Sequence, residues 1–95
     1  MFTDYRLNAQ VRSLLVRRGI DLVKVEHGVT NGVIYIRGTL ASYVARRSDD
    51  LSEAKQEEAA LAARLEKALR QLPGVRDVVF QLDRVQKVGW RWRPR

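Results

Sequence analysis

Cysteine is absent from this chain and histidine occurs once. Without a thiol there is no disulfide framework, no thiolate nucleophile and no thiolate metal site, and a lone imidazole cannot build a paired-histidine centre. No run of about 18 apolar residues occurs, so no membrane-spanning helix is expected. The first residues, Met1-Phe2-Thr3-Asp4-Tyr5-Arg6, lack the basic and apolar regions of a signal peptide, and the sequence as written reads as cytoplasmic, with peripheral membrane contact allowed. A glycine-rich phosphate loop is missing too, because the glycines from Gly28 to Gly38 are wrongly spaced and open no helix. No cofactor and no metal are expected.

What is present is a foldable, strongly basic chain. Ninety-five residues, 45% hydrophobic and 31% charged, suit one domain with one core. Eighteen basic and 11 acidic residues leave a net charge of +7, which attracts polyanions such as nucleic acid or anionic membrane. The charge is uneven. From Arg84 onward come Arg84, Lys87, Arg91, Arg93 and Arg95 with no carboxylate side chain. Residues 49 to 58 hold Asp49, Asp50, Glu53, Glu57 and Glu58 against Lys55, and Arg64, Lys67 and Arg70 follow. Acids first and bases last complement a helix dipole, so these side chains read as a solvated helix face.

Leu7, Val11, Leu14 and Leu15 recur at helical spacing between Thr3 and Gly19, predicting a first helix over residues 4 to 18. Residues 20 to 40 are rich in Val, Ile and Tyr around Asn31-Gly32, the dipeptide that favours a two-residue type I′ hairpin. With that loop, paired positions sum to 63: His27 faces Ile36, Glu26 faces Arg37 and Gly28 faces Tyr35. One face carries Val23, Val25, His27, Val29, Ile34, Ile36 and Leu40 and is the core face; the other carries Leu22, Lys24, Glu26, Val33, Tyr35 and Arg37. Asp50 with Glu53 marks a helix start, and Leu51, Ala54, Leu61, Leu65, Ala68, Leu69 and Leu72 form a stripe that Pro73 ends. A second helix over about 50 to 72 follows. Residues 41 to 49 fit either a loop or further helical turns. Val78, Phe80 and Leu82 alternate with Val79, Gln81 and Asp83, predicting a last strand within 75 to 85. The expected fold is α+β: a two-layer sandwich of αββαβ order, with both helices on one face of a three-stranded sheet. A mixed sheet with the last strand parallel to residues 33 to 40 is favoured, and an all-antiparallel order with the first strand central is also permitted.

The stretch "VKVEHGVTNGVIYIRGTLAS", the helices on either side of it, and "LPGVRDVVFQL" resemble the BON domain, the bacterial osmotically inducible and nodulation domain, over about residues 4 to 85. The shared features are a hairpin running from Gly32 to Gly38 and the Pro73-Gly74-Val75 approach to Val78. Gly32, Gly38 and Gly74 each have a backbone reason as well: a turn, a strand end and a restart after a helix. The resemblance implies a non-enzymatic αββαβ module, usually exported and often in tandem, that contacts phospholipid surfaces or neighbouring proteins. Similar modules build rings in secretion assemblies. As written, the sequence departs from that pattern in showing no signal peptide, one copy and about a dozen additional residues before the second helix.

No constellation supports catalysis. His27 lacks a nucleophile and orienting group in motif context, so it reads as a satisfied rim or core histidine. Asp21, Glu26, Asp77 and Asp83 have no metal-loop spacing. Residues 1 to 85 form the expected domain and residues 86 to 95 a basic tail. In that tail Lys87, Trp90, Arg91, Trp92, Arg93 and Arg95 are the candidate lipid or polyanion site, since indoles favour bilayer interfaces and also stack on bases. Extended, the tail would carry both indoles on one side; folded back, the tryptophans would cover the domain. The outer sheet face offers Leu22, Val33, Tyr35 and Val79, with Val85 beside them, as an interface for a protein partner or a second copy. An anionic phospholipid surface leads, homo-oligomeric assembly competes, and nucleic acid stands third because the sheet lacks paired exposed aromatics.

Overall fold

In the computed structural model, which describes residues 2–40 and 51–95, two helices and five short strands follow one another as α1 (Phe2–Arg17), β1 (Val25–Thr30), β2 (Val33–Gly38), α2 (Leu51–Arg70), β3 (Asp77–Leu82), β4 (Val85–Val88) and β5 (Arg91–Pro94). Residues 41–50 lie outside the described residues, and with them the expectation for 41 to 49 and the helix start at Asp50. Strands β1, β2 and β3 form a mixed sheet in that order, β1 antiparallel and β3 parallel to β2. The fold is α+β, as expected, with a second two-stranded sheet, β4-β5, added beyond the predicted order.

Helix α1 buries Leu7, Val11, Leu14 and Leu15, positions three, four and seven apart that share one face. It starts two residues earlier than predicted, which places Thr3 within it. Its end is set by Gly19 at φ +71°. There the Gly19 N–H donates to Val16 O at 2.9 Å and the Ile20 N–H to Leu15 O at 3.1 Å, a Schellman closure. The apolar contact that goes with this closure is Ile20 on Leu15, both fully buried.

The β1-β2 register is the predicted one, with Val29 opposite Ile34, His27 opposite Ile36 and Glu26 opposite Arg37. Asn31 at φ +51° and Gly32 at φ +79° make the turn, as a type I′ loop requires. Val25, Ile34, Ile36 and Leu40 are buried on the inner face. Val23 departs from the expected core: it is 91% exposed. The strand begins only at Val25. Before it the chain turns, with Lys24 N–H donating to Asp21 O at 3.2 Å and Val23 N–H to the Asp21 carboxylate at 3.0 Å, so strand alternation stops short of Val23. The same turn brings Leu22, expected on the outer face, against the core.

Helix α2 ends at Arg70, and Gln71 and Leu72 continue as a tighter turn bonded to Ala68 O and Leu69 O. Pro73 and Gly74, the latter at φ +85°, then occupy the centre of a turn closed by Val75 N–H on Leu72 O at 3.4 Å. This shortens the predicted strand to Asp77–Leu82. Ala62, Leu65 and Leu69 of α2 join the α1 residues and Val78 and Leu82 of β3 in one core. Val85, expected on the outer face, is buried in that core as the first residue of β4.

Candidate functional site

Two glutamates on the inward face of α2 organise the C-terminal part of the molecule. Glu58 follows Ala54 by one turn and Glu66 adjoins Leu65, so both fall in phase with the apolar stripe rather than on the solvated face expected for the acids of this helix. The Glu58 side chain is 1% exposed; it accepts the Leu40 N–H at 2.9 Å and pairs with Arg84 Nη2 at 2.7 Å. The Glu66 side chain, 11% exposed, pairs with Lys87 Nζ and Arg70 Nη2 and accepts the Trp92 indole N–H at 3.0 Å. Burial alone pushes the Glu66 carboxyl up, yet the donors from Lys87, Trp92 and Arg70 outweigh it and hold the group below its ordinary value. Arg70 also reaches Asp77 at 3.0 Å.

This pairing reshapes the expected basic tail. Of the two forms open to residues 86 to 95, extended or folded back, the chain takes a hairpin in which Lys87 lies opposite Trp92 and Val88 opposite Arg91. Gly89 at φ +64° and Trp90 make its two-residue loop, with glycine first as a type II′ turn prefers. Lys87 and Trp92 share the inner side and close on Glu66. Trp92 also meets Phe80 edge-on, with ring centroids 5.0 Å apart. Arg95 donates from Nε to Leu82 O at 3.1 Å. Three of the six expected polyanion contacts, Lys87, Trp92 and Arg95, are therefore engaged within the fold, because the Glu66 carboxylate and the Leu82 carbonyl take their donors.

Trp90, Arg91 and Arg93 remain outward. Trp90 is 84% exposed at the loop, Val88 beside it is 48% exposed, and Gln86, Val88, Arg91 and Arg93 form the outer side of the hairpin. Between hairpin and helix runs an apolar groove of about 380 Å³, lined by Ala59, Ala60, Ala63, Trp90, Trp92 and Pro94 among others. Val88 was not singled out from the sequence. Its signal was there, since Val85 to Val88 and Arg91 to Pro94 flank a Gly-X pair.

The outer sheet face presents Tyr35, 44% exposed, between half-buried Val33 and Val79. Arg37 on the same face bonds Gln81 at 3.2 Å. On the opposite face His27 Nδ1 lies 2.8 Å from Asn8 Oδ1, an oxygen that only accepts, so Nδ1 carries the proton. Burial and, next, the Arg12 charge lower its pKa, which favours the neutral ring. Asp4 accepts both turn N–H groups, Asn31 at 2.8 Å and Gly32 at 2.9 Å. Among the described residues no group of three or more His, Asp or Glu is placed to hold a metal ion, and no helix is long and apolar enough to cross a membrane. Neither protein-family models, curated proteins nor solved structures match the chain.

Proposed function

We propose that the chain is a non-enzymatic, BON-like binding module that associates peripherally with anionic phospholipid surfaces through the tip and outer side of the β4-β5 hairpin. The contact set is narrower than the basic segment as a whole: Val88, Trp90, Arg91 and Arg93. One observation carries the reading. An ordered hairpin, held from below by Glu66, presents an 84% exposed tryptophan with an exposed valine beside it and two arginines on its outer side. Indole at the headgroup level, apolar surface at the tip and cations toward anionic lipid are the ingredients of interfacial attachment. The BON likeness is supported by the order of α1 to β3 and by the turn positions of Gly32 and Gly74.

The expected strength follows from the parts. Two arginines near an anionic surface contribute about 2 kcal/mol, and burying the accessible apolar area of Trp90 and Val88 about 2 more. The sum corresponds to a dissociation constant near 1 mM, a reversible contact that gains from several copies acting together. Co-sedimentation with vesicles of phosphatidylcholine containing anionic lipid should pull down the protein, lose it at about 0.3 M salt, and lose it with Trp90→Ala. Equal binding to neutral and anionic vesicles, or to neither, contradicts the reading. Nucleic-acid capture that persists after Trp90→Ala would favour a different polyanion.

Self-association is the second reading, carried by the exposed Tyr35 between Val33 and Val79 on the uncovered sheet face. Light scattering of the same preparation, with and without Tyr35→Glu, decides it.

A further inference from the structure

We propose that Arg18, Arg64 and Lys67 form a binding site for a phosphate monoester dianion, separate from the hairpin tip. Arg18 stands at the C-terminal end of α1, immediately before Gly19, and Arg64 and Lys67 lie one turn apart on the exposed side of α2. The three converge on a depression of about 280 Å³ whose remaining lining is Ala68 and Gln71. No carboxylate lines it. Among the described residues none of the three cations takes part in an ion pair, whereas Arg70, Arg84 and Lys87 each do.

Like charges three residues apart on a helix repel, and Arg18 brings a third positive charge to the same place from another element. Arg70, Arg84 and Lys87 are neutralised by placed carboxylates; here three cations from two elements line one depression that holds no carboxylate, an arrangement suited to an anionic ligand. The C-terminal dipoles of α1 and α2 favour Arg18 and Lys67 where they stand, but neither dipole accounts for cations of two elements meeting in one depression. Glu57 and Glu58 line an adjoining depression with Arg18 and Arg64, and Glu58 is already bound to Arg84 and Leu40.

The donor set selects the ligand chemistry. Two guanidinium forks match pairs of phosphate oxygens, an ammonium supplies a compact charge, and the Gln71 amide adds a neutral donor. A phosphate monoester carries −1.5 to −2 near neutral pH, which answers three cations better than a singly charged diester. The site deepens the membrane reading and rests on it only for the source of the phosphate. Ala60 lines both the groove beside Trp90 and the depression that adjoins this one, and a lipid headgroup is one source of a phosphate monoester. A soluble phosphorylated compound has the same chemistry.

The test uses the whole, isotope-labelled chain titrated with inorganic phosphate at constant ionic strength, balanced with chloride. The side-chain N–H resonances of Arg18 and Arg64 should shift and saturate, while those of Arg91 and Arg93 should not. The double variant Arg64→Gln with Lys67→Gln, both exposed positions, should weaken phosphate at least about tenfold with unchanged backbone resonances in the hairpin. Shifts that stay linear, or that chloride alone reproduces across all arginines, overturn the site. Vesicles containing phosphatidic acid or phosphatidylglycerol at matched charge then identify the source. A preference for phosphatidic acid that the double variant abolishes assigns a lipid headgroup; saturation by phosphate without that preference assigns a soluble ligand. Trp90→Ala should remove vesicle binding and leave the phosphate titration intact, so failure of the hairpin reading and failure of this site give different results.

Discussion

A methyl group built on Gly38 would sit 2.5 Å from the carbonyl oxygen of Lys24, and the backbone there has φ +114°. Gly28, three strand pairs away on β1, has nothing within 4 Å of the corresponding position. Gly38→Ala therefore costs about 2 kcal/mol or more through contact and strain together, while Gly28→Ala stays within about 1 kcal/mol. Denaturant melts of the two variants check this, and equal losses contradict it. Gly32 combines both constraints, with φ +79° and Gly74 O 3.0 Å from a built Cβ. Asp4 supplies a pH-dependent element at the same turn. The N–H groups of Asn31 and then Gly32 hold its carboxyl below the ordinary 3.8. A group depressed in the folded state stabilises it above the unfolded value, and that contribution is lost as pH falls through the folded one. Asp4→Asn should accordingly flatten the acid limb of the stability profile below about pH 4, leaving the part that Glu66 and Asp77 contribute in the same direction. An unaltered limb in urea melts at stepped pH would remove Asp4 from the account.

Helix α2 acts as the element that fastens others. Glu58 joins the end of β2 to Arg84 in the β3-β4 connection, and Glu66 joins β4 and β5 through Lys87 and Trp92. Glu58→Ala strands the Leu40 N–H and a partly buried guanidinium, a loss of about 3 kcal/mol. Glu66→Gln keeps an acceptor for Trp92 but removes the charge facing Lys87 and Arg70, a loss of about 1.5 kcal/mol. Thermal or denaturant unfolding of each variant checks these values; a loss under about 0.5 kcal/mol for Glu58→Ala contradicts the fastening role. The β1-β2 register was legible in the sequence because Asn31-Gly32 fixes the loop and period two does the rest. The glutamates were not, since an order of acids then bases suits a helix dipole equally well whether or not two of the acids point inward. Only their phase with Ala54, Leu61 and Leu65 distinguishes the two cases. The hairpin was obscured likewise, because Trp-Arg alternation describes a free tail as well as a strand, and Gly89 alone marked the turn. The turn before Val25 depends on a bond from the Val23 N–H to the Asp21 carboxylate that strand periodicity does not contain.

Over the whole molecule, the charge of +7 is sorted into cations that hold the fold together and cations left facing outward. Arg70, Arg84 and Lys87 belong to the first group, and Arg91 and Arg93 on the hairpin to the second. The two tryptophans divide in the same way: Trp92 is bonded to Glu66 and packed on Phe80, and Trp90 stands clear at the tip. Single-tryptophan chains separate them, Trp92→Phe leaving Trp90 as the reporter and Trp90→Phe leaving Trp92. The most direct measurement is their fluorescence on addition of anionic vesicles at low salt. A blue shift, and protection from a water-soluble quencher, are expected for the chain that retains Trp90, with no change for the chain that retains Trp92. A shift confined to Trp92, or none in either chain at saturating lipid, would contradict attachment through the hairpin tip.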